Sequence, residues 1–174
     1  MTVYDVVNAA VRIAAAALFF YAGAEKLAAP RSFRSTLTAL RIPWMVPVSI
    51  GVPLVELAAA FALLSVPRSW LTVALVVGLG AAFAFAGALA MARGTRVKCA
   101  CFGQVDAGLL GPRQIVLLPV WAGVGALAFW TPDRSPTGPG VTVAVVLALA
   151  GFTALKVVAV TRKNREYMRA MVPK

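Results

Sequence analysis

The sequence predicts an all-α integral membrane protein, a bundle of about five transmembrane helices. Three observations predict it. Of 174 residues, 61% are hydrophobic, and the mean hydropathy is +0.86, well beyond a soluble globular domain. Five apolar runs approach the roughly 20 residues that a helix needs to cross a bilayer core of about 30 Å. The 17 Lys and Arg residues far outnumber the 6 Asp and Glu, and they gather between the runs rather than inside them.

The first run covers 6–27 and carries Arg12, Glu25 and Lys26. Its "AGA" at 22–24 has the small-x-small form of a signal-cleavage site. Asp5 and a lone Arg12 make a poor n-region before it, so the run is read as a retained span. The second run, 42–66, has Glu56 as its only charge, and the third, 70–92, has none. The fourth covers 114–131 and the fifth 138–160, with Lys156 near its end. Pro53, Gly78, Gly80, Pro119, Gly123 and Gly125 do not veto these assignments, because such residues are commoner in membrane helices than in soluble ones. "PRS" at 67–69 and "PDRSPTGP" at 132–139 are tight turns, whereas 28–41 and 93–113 are longer connections. No repeat or linker divides the chain, so 1–174 reads as one bundle ending in a basic tail, 161–174. Helices in lipid associate through small residues. The alanines at 14–17, Gly80 with Ala84, and Gly123 with Gly125 are the expected contacts. Trp44, Trp70 and Trp130 fall near run boundaries, as interfacial tryptophans do.

The net charge is +11 and the pI about 10.9. In a soluble chain that balance would suggest nucleic acid. Here the partner is the lipid bilayer, and the charge sets orientation, because Lys and Arg accumulate on cytoplasmic loops. With five spans, one side holds Lys26, Arg31, Arg34 and Arg41, then Arg93, Arg96, Lys98 and Arg113, then five cations of the tail. The other holds only Arg68 and Arg134. The asymmetry predicts a multi-pass protein of the bacterial plasma membrane with its N-terminus out, its C-terminus in and 93–113 facing the cytoplasm. The tail reads as a solvated anchor rather than a helix lying on anionic headgroups.

Candidate chemistry begins at "RVKCACFGQ", 96–104, which holds the only two cysteines, Cys99 and Cys101. The thiolate is the reactive form of cysteine, and the neighbouring Arg96 and Lys98 favour it. Two thiols this close would close a small, strained ring on oxidation, and strained disulfides are the labile or catalytic kind. A structural zinc site wants four Cys or His ligands. The chain has two thiols and no histidine, so no metal is assigned, and Cys-x-x-Cys-His haem attachment is excluded. The remaining alternative is an inert pair at an interface, against which the adjacency of the two cysteines argues.

Ionisable residues inside a span are costly and are functional candidates by default. Glu56 lies near the middle of the second run, and Arg12, Glu25 and Lys26 lie in the first. Lys26 is close enough to the end of its run to snorkel outward. Antiparallel packing of the two helices also permits a Lys26–Glu56 or an Arg12–Glu56 pair, serving either packing or proton handling.

Three stretches resemble a known family. "FFYAGAEKLAAPRSF" at 19–33 is similar to the first-helix signature of DoxX-like membrane proteins, and "PLVELAAAFALL" at 53–64 to their second helix with its Glu. "RGTRVKCACFGQ" at 93–104 resembles the Cys-x-Cys-Phe-Gly loop of the MauE branch, with Ala100 where Gly is expected. The resemblance covers roughly 6–130 and implies a DoxX-like four-helix core plus one helix. MauE-like proteins serve the maturation of methylamine dehydrogenase, whose small subunit is rich in disulfides. The resemblance therefore implies that Cys99 and Cys101 form a redox pair working with a thioredoxin-fold partner, in methylamine utilisation or another thiol pathway. Oxidative folding takes place outside the cytoplasm, whereas the charge count places the cysteines inside; the charge-based orientation is kept.

The sequence thus favours a membrane thiol–disulfide oxidoreductase. A quinone is a chemically reasonable electron acceptor for such a protein, but no residue identifies a site for one. The competing reading is a non-enzymatic accessory or assembly subunit with structural cysteines. Transport would need a polar path that the runs do not offer.

Overall fold

The computed structural model describes residues 3–95 and 109–130, together with Leu147 and Gly151. Six helices account for most of these: α1 (Val3–Ala28), α2 (Pro30–Ala39), α3 (Met45–Ser65), α4 (Trp70–Ala92), α5 (Pro112–Val116) and α6 (Leu118–Trp130). Four segments are long and apolar enough to cross a membrane: α1, α3, α4, and α5 with α6 taken together. The runs expected at 6–27, 42–66, 70–92 and 114–131 fall on these four. The run at 138–160 and the tail lie outside the described residues, apart from Leu147 and Gly151.

The long helices form a closed ring. α1 packs on α3, α3 on α4, α4 on α6, and α6 returns to α1. In α1, Arg12, Ala15, Ala16, Phe19, Ala22, Gly23 and Lys26 are the buried face, recurring at the three- and four-residue steps of one helix side. Small residues let the backbones approach, which drives association where lipid removes the usual hydrophobic gain. A Cβ added at Gly23 would stand 2.9 Å from the Pro53 carbonyl of α3. The centre is filled by Phe19 and Trp121, whose rings lie 4.6 Å apart, with Leu63, Val76, Leu79 and Val124 around them.

α4 and α6 meet through glycine and a ring. A Cβ at Gly80 would come within 2.8 Å of the Trp121 Cβ, and one at Gly87 within 2.7 Å of the Gly111 carbonyl. Gly125 faces Val77 and Val73. Gly123, expected to pack beside it, has nothing within 4 Å among the described residues. It points away from this interface because two residues turn a helix by roughly 200°. Leu54, Phe61, Leu71, Phe85 and Val120 are exposed on the outer faces, as helices apolar all round require in lipid. Trp44, Trp70 and Trp130 are likewise exposed at helix ends.

Helix ends follow local chemistry. Ser69 caps α4, its hydroxyl accepting from the Leu71 amide at 3.2 Å. Thr72 donates to the Val66 carbonyl at 2.7 Å and closes the turn from α3. α4 ends on Gly94 at φ 59°, with Gly94 N–H on the Met91 carbonyl and Thr95 N–H on the Ala90 carbonyl, a Schellman motif. α2 ends the same way on Arg41 at φ 48°, a left-handed position where a side chain is strained. α5 and α6 divide at Leu117 because Pro119 has no N–H for the Ile115 carbonyl and crowds it. The stretch 28–41, expected as a connection only, contains α2. Pro30 opens it at a position that needs no N–H, and Phe33, Thr36 and Leu37 face inward.

Candidate functional site

The antiparallel α1–α3 interface carries two buried cations on one side of α1. In the first half of α1, Arg12 is 5% exposed. Its Nε donates to the Leu63 carbonyl at 3.1 Å. That carbonyl's ordinary helical donor would be the amide of residue 67, which is Pro67 and has no N–H. Arg12 thus caps an acceptor that the chain itself orphaned.

Near the other end, Lys26 Nζ lies 2.6 Å from Glu56 Oε1, with side chains 1% and 0% exposed. Nζ also donates to the Ala22 carbonyl at 3.3 Å. Helical side chains lean toward their own N-terminus. In antiparallel helices Lys26 and Glu56 therefore lean toward each other, which lets them meet although their Cα atoms are not level. Of the two pairings open from the sequence, the structure makes Lys26–Glu56, and the outward snorkelling of Lys26 is corrected. The turn inward is enforced by a carboxylate in reach and by α2 lying across that end. Phe33 of α2 and Phe83 of α4 each place a ring centroid 5.7 Å from Nζ, within cation–π range. Glu56 Oε2 is buried with no hydrogen-bond partner among the described residues. Glu25, one residue away, is half-buried and interacts through its side chain with Tyr21 one turn back.

Beside the pair lies a cavity of about 210 Å³ between α1, α2, α3 and α4. Its walls are apolar, from Phe33, Leu37, Val52, Phe83 and Leu89 among others, with Lys26 contributing the charge. Sequence reasoning missed Phe33 and Phe83. Phe33 was legible in the Phe33–Thr36–Leu37–Leu40 spacing of an amphipathic helix, whereas Phe83 lies in a run with no polar side to orient it.

The sequence-derived residues Arg96, Lys98, Cys99 and Cys101 lie outside the described residues. Both flanks of their segment are described, and both belong to the Lys26 end of the bundle. On one flank, Arg93 donates through Nη1 to the Leu40 carbonyl of α2. On the other, Leu110 packs with Leu40 and Ala90 and lines the cavity. Gly111 N–H donates to Gln114 Oε1 at 2.9 Å to start α5. Among the described residues no three His, Cys, Asp or Glu side chains converge on a metal site.

A family model described as "Methylamine utilisation protein MauE" matches residues 4–131. The match includes the four-helix ring and the Cys-x-Cys segment, and stops before the run at 138–160. No curated protein and no solved structure matches the chain.

Proposed function

The chain belongs to the MauE family, and we propose that it is a membrane thiol–disulfide redox protein acting through Cys99 and Cys101, with methylamine dehydrogenase maturation as its context. The observation that carries this reading is the placement of the chain's only two cysteines, one residue apart, inside the matched region and beside Arg96 and Lys98. The two cations favour the thiolate. In the exchange step one thiolate attacks a sulfur of the partner's disulfide, and the partner's other sulfur leaves as thiolate. The second cysteine then attacks the mixed disulfide. Two electrons pass to the partner, and Cys99–Cys101 becomes the disulfide; run backwards, the same step oxidises the partner. The partner is a thioredoxin-fold protein, as the family resemblance implies.

The Lys/Arg asymmetry supports an N-terminus-out, C-terminus-in orientation in a bacterial plasma membrane. That orientation puts the cysteines on the cytoplasmic face and favours delivery of reducing equivalents over direct oxidation outside. Lys26 and Glu56 fix the end of the bundle from which the cysteine segment leaves and to which it returns.

A second reading, a non-enzymatic accessory or assembly subunit, is favoured by the complete burial of Lys26 and Glu56, which suits a structural pair. Replacing both cysteines with Ser separates the two. The redox reading expects a protein that accumulates normally and does not support maturation of the disulfide-bearing target. A functional double variant would leave the accessory reading standing. Labelling intact cells with a membrane-impermeant maleimide, before and after reduction, tests the orientation. Labelling only after the cells are opened is expected, and labelling from outside would reverse it.

A further inference from the structure

α3 and α4 leave between them a groove of about 550 Å³ that opens outward from the bundle. Trp44, Val55, Ala74, Gly78 and Ala82 line it and are exposed, so what fills it comes from the surrounding lipid. Two glycines deepen it: a Cβ added at Gly51 or Gly78 would have nothing within 4 Å among the described residues. The lining side chains are apolar apart from the Trp44 indole N–H. The α3 wall begins at Trp44 and ends at Val55. From 44 to 55 a helix rises about 16 Å, close to the depth of one leaflet of a core about 30 Å thick. That length suits one acyl chain running from the interface toward the bilayer centre.

The mouth of the groove carries charge. Trp44 stands three residues after Arg41, at the end of the bundle where Arg31, Arg34, Arg41, Arg93 and Arg113 are exposed. Among the described acids, Glu25 is half-buried, Glu56 is buried against Lys26, and Asp5 lies at the opposite end. Arg34 reaches from α2 to α3, where its Nε donates to Ser49 Oγ at 3.4 Å, next to the groove-lining Val48. Neither Arg34 nor Arg41 pairs with an acid among the described residues. Arg41 also holds a left-handed φ of 48°, which is strained for a residue with a side chain. Strain of this kind gathers at ligand-holding positions. A guanidinium presents a planar fork of N–H donors that matches phosphate oxygens, and basic side chains at the membrane surface attract anionic headgroups.

We propose that this face holds one anionic phospholipid, with an acyl chain in the α3–α4 groove and its phosphate at Arg34 and Arg41. A membrane lipid fits better than an acidic protein, because the cations stand at the mouth of an apolar groove open to the bilayer. The inference goes beyond the thiol reading and uses neither cysteine. The variant with both cysteines changed to Ser is expected to keep the lipid, so failure of either reading is seen separately.

The test is native mass spectrometry of the purified full chain, released from detergent with equimolar phosphatidylglycerol and phosphatidylcholine of the same acyl chains. One phosphatidylglycerol is expected per chain, retained at least tenfold over phosphatidylcholine. Arg34→Gln with Arg41→Gln is expected to bring the two lipids to equal retention. Gly51→Leu with Gly78→Leu fills the groove from its outer side and is expected to lower retained phosphatidylglycerol at least tenfold. Glycerol 3-phosphate, a headgroup without chains, is expected not to displace it. Equal retention of the two lipids by the wild type overturns the proposal and leaves the arginines to an acidic protein surface. Displacement by glycerol 3-phosphate overturns it in favour of a site for free phosphate esters. Unchanged retention in either double variant overturns it as well.

Discussion

The two ends of the α1–α3 interface answer the same problem differently. Each buries a cation of α1 against α3, and positions 12 and 26 lie on nearly the same side of the helix. At the first, Arg12 meets a backbone carbonyl freed by Pro67 near the end of α3. The Nε–H satisfies an acceptor that would otherwise be orphaned. At the second, Lys26 meets Glu56 in the middle of α3, and a carboxylate is the partner. The first arrangement is a cap. The second is a complete ion pair beside a cavity, with polar capacity left over. Burial of charge alone therefore does not mark a site; what distinguishes the second end is the space next to it.

The sharpest way to break this contrast is to remove one member of the pair. Glu56→Ala strands the Lys26 charge and is expected to cost about 3–5 kcal/mol, read as loss of accumulation and an early thermal transition in detergent. The double replacement of Lys26 and Glu56 by Met should recover most of that loss. If Glu56→Ala unfolds no earlier than the wild type, the pair does not organise the bundle. Packing elsewhere gives the next largest effect. Gly80→Ala drives a Cβ into the backbone-proximal part of Trp121 and should cost about 1–3 kcal/mol. Gly123→Ala, with nothing within 4 Å of the site among the described residues, should stay within about 0.5 kcal/mol. Equal melting temperatures for these two variants would contradict the α4–α6 packing. Arg12→Met leaves the Leu63 carbonyl unsatisfied but removes a buried charge, so about 1 kcal/mol of destabilisation is expected, well below Glu56→Ala. The smallest effect runs the other way. Arg41→Gly relieves the left-handed residue at the end of α2 and should raise stability by about 0.5–1 kcal/mol, seen as a higher melting temperature.

Much of the fold was legible because membrane spans are written in one dimension. Length and hydropathy located α1, α3, α4 and the α5–α6 span, and the exposed Trp44, Trp70 and Trp130 marked their ends. The candidate site was legible in part. Glu56 and Lys26 stood out because charge inside a span is expensive, but Arg12 stood out equally and does a different job. Gly80 and Gly123 looked alike in sequence, and among the described residues only Gly80 is a contact. The cavity was hidden because its walls come from four helices, and because α2 was read as a connection although its Phe33–Thr36–Leu37–Leu40 spacing is helical.

By itself, then, the sequence determined a multi-pass α-helical membrane protein, its four described spans and its kinship with the MauE family, since each depends on residues close together along the chain. Only the tertiary structure decided that Glu56 takes Lys26, that Arg12 caps a proline-freed carbonyl, that Gly80 meets Trp121 and that a cavity lies beneath α2. A helix apolar on every side carries no signal of which face turns inward. That choice is made when neighbouring backbones and side chains fit together, and it is the choice that builds the site.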